Sequence, residues 1–232
     1  MPSEQESGAA DRSRAAVDLA VVLAVFGLMS LSIPWLNPIL RRGHGIAGFF
    51  EAAGYQVAIE GAAPLALMLF RRERFSDYGF VRRGLWLSLA LGLALAVLYD
   101  AGLSISSGAL RWIPLARQPA TRMALAAGLP FAPLGLALVA LIWGVLEGFF
   151  GIYFSRKVNL ILRHGGRGWL SPGVLAFALF NGGVHLIVGQ GLEGFLTSFA
   201  SGYAIAVVPA VTANAWGGAL VQTLTNAAGA LR

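Results

Sequence analysis

The chain has 232 residues, of which 57% are hydrophobic and only 12% charged, and its mean hydropathy is +0.70. A soluble globular domain carries about 25% charged residues, so this composition excludes one and implies an integral membrane protein of the all-α class, a polytopic bundle of transmembrane helices. The net charge of +6 arises from short basic clusters at the ends of apolar runs, a placement that sets topology and meets lipid headgroups. It excludes a nucleic-acid face, which would gather the same residues among stacking aromatics on one surface. Cysteine is absent, which removes disulfides, thiolate nucleophiles and cysteine-held metals.

In chain order, residues 1–14 form a polar tail with three acids, expected to be disordered. A single transmembrane domain follows at 15–231. The apolar run after Asp18 is long and lacks a clean small-residue cleavage pattern, so it reads as a retained anchor and not a signal peptide. A hydrocarbon core of about 30 Å takes about 20 helical residues, and about seven such spans fit, at roughly 15–36, 46–70, 84–106, 131–155, 172–189, 191–209 and 213–231. Between the third and fourth lies a longer connection, in which residues 120–128 form either a short interfacial helix or an exposed loop. Eleven Lys and Arg fall on the side of the N-terminus, in the tail and the 71–83 and 156–167 loops, against six on the other side. The positive-inside rule then places the N-terminus in the cytoplasm and, with seven spans, the C-terminus outside. A bacterial cytoplasmic membrane is the expected location.

The fourth span, FAPLGLALVALIWGVLEGFFGIYF, carries a lone carboxylate, Glu147. An ionised group at mid-bilayer depth costs at least about 2.5 kcal/mol and persists where it faces partners inside a bundle. Later spans carry His185, with Asn181 one turn earlier on the same face, and Gln222 with Asn226, again four apart. At about 1.5 Å of rise per residue, Glu147 lies roughly 12 Å from the cytoplasmic end of its span, Gln222 roughly 14 Å, and His185 and Asn226 roughly 20 Å. They therefore share one layer. Gly144, Gly148 and Gly151 flank the carboxylate; such small residues let helices approach closely or leave space beside Glu147 for water or substrate. Among the other acids, Glu51 and Glu60 are nine apart, half a turn out of phase. Glu60, near midspan, is expected to line the bundle, with Glu51 and Asp100 closer to an interface.

One carboxylate, one imidazole and two amides suit hydrolysis: Glu147 and His185 activate water, and Gln222 and Asn226 donate to the oxyanion. Zinc proteolysis fits less well, because H-E-x-x-H is absent and one His with one Glu falls short of three protein ligands. Rhomboid-like serine catalysis lacks its G-x-S-G, and no histidine follows Ser201.

The order of these residues resembles the CPBP family of intramembrane proteases, which includes CAAX prenyl endopeptidases and bacteriocin-processing or immunity proteins. Its pattern is E-E-x-x-x-R, then F-x-x-x-H, then H-x-x-x-N on the last helix. The resemblance covers about 77–231, including DYGFVRRGLW before the third span. It implies that Glu147 is the base acting on water, His185 its partner and Asn226 an oxyanion donor, with Gln222 at the position of the third-motif histidine. Gly148 stands where the family has a second glutamate, and Ile152 where it has arginine. Phe180 precedes His185 by five residues instead of four, leaving Asn181 at the expected spacing; Phe180, Asn181, Gly148 and Gly151 are the expected lining of the site.

The leading expectation is thus a glutamic-type intramembrane endopeptidase acting on a membrane-embedded or lipidated peptide or protein, without nucleic acid and without a cofactor, although Glu147 and His185 are compatible with a metal. A catalytically silent scaffold or immunity protein of the same family is the alternative. A proton-coupled transporter, with Glu147 and His185 as relay, is the third.

Overall fold

The computed structural model describes residues 4–32, 45–108 and 119–225, and among them every regular element is helical. Helix α1 runs Glu4–Leu31, α2 Gly45–Phe70, α3 Leu85–Ser107, α4 Pro119–Ala126, α5 Phe131–Ile161, α6 Pro172–His185, α7 Gly191–Thr212 and α8 Trp216–Thr225. A 3-10 turn at Phe75–Tyr78 lies between α2 and α3. Five stretches are long and apolar enough to cross a membrane, and the last of them, Pro172–Thr212, contains both α6 and α7. The chain is a membrane protein with transmembrane helices.

Helices α6 and α7 form an antiparallel hairpin. The break falls where Gly189 and Gly191 take φ of 86° and 67°, angles that side-chain-bearing residues rarely adopt. From there Gly182 meets Phe195, and Gly202 meets Ala178 and Asn181. The separate spans expected at 172–189 and 191–209 are these two legs. The last helix is described only to Thr225, so the span expected at 213–231 is partly outside the described residues. Residues 4–14, expected to be disordered, instead continue α1 upstream; Ala, Glu and Arg are good helix formers, and an existing helix extends more easily than one nucleates. Of the two readings for 120–128, the helical one applies. Ala120 and Ala124 of α4 are buried against Phe49, Val139 and Trp143.

Helix α8 is the centre of the bundle because its small residues admit neighbours from three sides. A Cβ on Gly217 would lie 1.9 Å from the Ser88 carbonyl oxygen of α3, one on Gly218 2.5 Å from the Ile205 oxygen of α7, and one on Gly148 of α5 3.0 Å from Ala219. Without a hydrophobic drive between helices in lipid, such close backbone packing and buried hydrogen bonds hold the bundle. Asn214 supplies several of these bonds. It is fully buried, its Nδ2 donates to the carbonyls of Val81 and Arg83 at 2.7 and 2.9 Å, and its Oδ1 accepts from Trp216 N at 3.0 Å, capping α8.

One end of the bundle is tied by charge. Arg71 Nε and Nη2 donate to Asp18 Oδ1 at 3.1 and 2.9 Å. Lys157 Nζ donates to Asp18 Oδ2 at 3.0 Å and to Glu73 Oε1 at 2.9 Å, and the Tyr78 hydroxyl donates to Glu73. Burial, and then the Glu73 carboxylate that accepts its bond, push the Tyr78 phenol up, so it remains a donor. Lys157 was expected to meet headgroups as part of a surface cluster. Its side chain is instead 3% exposed, because two carboxylates from other elements converge on it. The network joins α1, α5 and the segment after α2, which places Asp18 in the middle of α1 beside the ends of α2 and α5.

Candidate active site

A small cavity of about 60 Å³ lies within the bundle where α1, α2, α5, α6, α7 and α8 meet. Its polar lining comprises Glu60 of α2, Glu147 of α5, Asn181 and His185 of α6, and Gln222 of α8, and its apolar wall includes Phe26, Phe150, Phe177 and Phe180. Four polar residues singled out in three separate spans therefore converge with a fifth, Glu60. The aromatic wall is continuous: Phe26 lies 5.7 Å from Phe150 and 5.2 Å from Phe180, centroid to centroid.

Backbone irregularity accompanies each of the three ionisable residues. Glu60 lies within a π-helical turn at Val57–Gly61, Glu147 directly follows one at Ala140–Leu146, and His185 ends α6 just before the break at Gly189. A π turn accommodates an extra residue in a helix and so re-aims side chains without disturbing the rest of the packing.

Glu147 is half-buried, and its Oε2 accepts a hydrogen bond from Gln56 Nε2 at 3.3 Å. Gln56 lies four residues before Glu60, so α2 contributes both a donor to Glu147 and a second carboxylate. Glu60 Oε2 is sealed from solvent and meets no hydrogen-bond partner among the described residues. His185 Nδ1 lies 2.9 Å from Gln190 Oε1; the imidazole N–H donates there, which leaves Nε2 as an acceptor. Asn181 Nδ2 donates to the Ser198 carbonyl at 2.8 Å and to Ser201 Oγ at 3.4 Å, so this amide binds α6 to α7 while its residue lines the cavity. Gln222 is buried. Asn226 lies outside the described residues.

Gly148 and Gly151 do not line the cavity. Gly148 packs on Ala219, Gly151 on Phe177 and Gly144 on Thr223, with an added Cβ meeting these neighbours at 3.0, 2.5 and 2.0 Å. The glycine face of α5 is therefore filled by neighbouring α6 and α8, and space beside Glu147 opens on another side. Sequence spacing shows that helices can approach there, and only the tertiary structure shows that they do.

Glu60 is the residue that sequence reasoning undervalued, and Gln56 and Gln190 were missed. The signal for Gln56 was present in its spacing: Gln56 and Glu60 share a face of α2 in the same way as Asn181 and His185 on α6. Among the described residues no group of three or more His, Asp or Glu is arranged to hold a metal ion. No protein-family model, curated protein or solved structure matches the chain.

Proposed function

We propose that this protein is an intramembrane endopeptidase of glutamic type, in the bacterial cytoplasmic membrane with its N-terminus in the cytoplasm, cleaving a membrane-embedded or lipidated peptide or protein. The observation that carries this reading is the convergence of Glu60, Glu147 and His185, from three helices, on one cavity of about 60 Å³. That is room for water, at about 30 Å³ per molecule. Glu147 takes a proton from this water and returns it to the leaving amine, while Nε2 of His185, its ring oriented by Gln190, accepts the water's other hydrogen. The Gln222 amide donates to the developing oxyanion, and the motif order assigns Asn226, four residues on, the same role.

Glu60 stands in for the second glutamate that the CPBP pattern has at the position of Gly148. It comes from another helix but faces the same cavity. The test compares membranes holding wild type, Glu147→Gln or His185→Ala by mapping the termini of all membrane proteins. New termini present only with wild type support the reading; identical termini with all three folded proteins overturn it in favour of a silent scaffold.

A further inference from the structure

A second, larger cleft of about 360 Å³ opens at the tethered end of the bundle and shares no residue with the Glu147 cavity. Along α5 the cavity lining ends at Phe150 and the cleft lining begins at Ile152, on different faces of the helix. The lining of the cleft changes with depth. Ile152, Val174 and Ala206, which belong to the helices, form an apolar wall, whereas Arg156, His164 and Arg167 stand at the rim.

The rim groups are set as donors. His164 Nδ1 accepts from Gly166 N at 3.1 Å, so the remaining ring nitrogen carries the proton in the neutral form and points its donor capacity elsewhere. The Arg156 guanidinium sits 5.0 Å over the Tyr78 ring, which holds it in place while its edge N–H groups remain available. Arg167 lies on the glycine-rich turn after α5 and is exposed. Asp77 is the acid on the lining, and its Oδ2 already accepts from Arg74 N at 2.7 Å. Deeper down, Ser155 keeps a buried hydroxyl oxygen that meets no hydrogen-bond partner among the described residues. Exposed Trp169 and Leu170 follow Arg167, and an exposed tryptophan beside apolar residues at a span end is the usual anchor at headgroup level.

From this gradient we propose that the cleft binds a phosphate ester, with the phosphate held by Arg156, Arg167 and His164 and its apolar substituent lying along Ile152 and Val174. Guanidinium groups match phosphate geometry in bidentate fashion, and the volume exceeds what a bare phosphate would fill. The same chemistry is offered by an anionic phospholipid headgroup and by a soluble phosphate ester, and the experiment separates the two.

The full chain is placed in nanodiscs of equimolar phosphatidylcholine and phosphatidylglycerol and then released for native mass spectrometry, which counts retained lipid. Wild type is expected to keep phosphatidylglycerol, Arg156→Gln/Arg167→Gln to lose it by at least about tenfold, and Arg82→Gln/Arg83→Gln, on the same side but outside the cleft, to keep it. Arg156→Lys/Arg167→Lys retains the charge and guards against misfolding; it is expected to keep part of the lipid. Displacement of phosphatidylglycerol by millimolar glycerol phosphate identifies the soluble source, and its persistence identifies the lipid. Equal retention by wild type and the glutamine pair, or equal loss in the Arg82/Arg83 control, overturns the proposal.

Discussion

Lys157 illustrates how far a single side chain departs from its sequence context. It stands beside Arg156 at the end of an apolar run, where a basic pair ordinarily meets headgroups, yet it is buried between Asp18 and Glu73. Removing one partner of such a buried group leaves charges uncompensated. Lys157→Met is expected to destabilise the protein by about 3–5 kcal/mol, whereas Arg156→Met, whose side chain is exposed, should cost far less; thermal denaturation of the detergent-purified protein measures both. Glu60 teaches the converse lesson. Its midspan position marked it, and not Glu51, as lining the bundle, but nothing in α2 alone reveals that it shares a cavity with Glu147. Under the proposed mechanism Glu147→Gln is expected to reduce cleavage by about 10²–10⁴-fold, the usual range for a lost acid or base, without loss of the folded state.

Helices were legible from composition because an apolar run of sufficient length in a membrane protein has few alternatives to helix. What each helix does at its glycines was not. The small residues of α5 and α8 sit at spacings that permit either close packing or an open space, and the choice depends on a neighbouring helix that the local sequence does not name. Here the neighbours close in. Gly217→Ala places its Cβ against the Ser88 backbone at 1.9 Å, and the forced separation of α3 and α8 is expected to cost about 1–3 kcal/mol, read as a fall in the thermal midpoint. At the end of α7 the sign reverses: Ala213 has a φ of 56°, and Ala213→Gly is expected to gain about 1 kcal/mol by relieving that conformation. The π turns beside Glu60 and Glu147 were likewise invisible in the sequence, since an extra residue is recognised only against the packing that holds the flanking turns in register.

At the scale of the whole molecule, the charge network and the alternation of spans make one testable statement about sidedness. Asp18, Glu73, Arg71 and Lys157 are in contact, so the loops after α2 and α5 lie on the same face, and the end of α3 lies on the other. The chain has no cysteine of its own, so single substitutions report cleanly. Ser76→Cys and His164→Cys are expected to react together with an impermeant maleimide, and Ser106→Cys from the opposite side. Labelling of Ser76→Cys and Ser106→Cys from one side would contradict the fold. The bundle brings five polar residues from four helices to one cavity, and the reading of that cavity as a place where Glu147 activates water is most directly tested by isotope. Membranes carrying the protein are incubated in oxygen-18 water, quenched into ordinary water, and the new C-termini analysed by mass spectrometry. One heavy oxygen is expected in each new C-terminal carboxylate, with none in the Glu147 side chain and no such termini from Glu147→Gln. Heavy oxygen in the Glu147 carboxylate, or labelled termini that persist in Glu147→Gln, would contradict it.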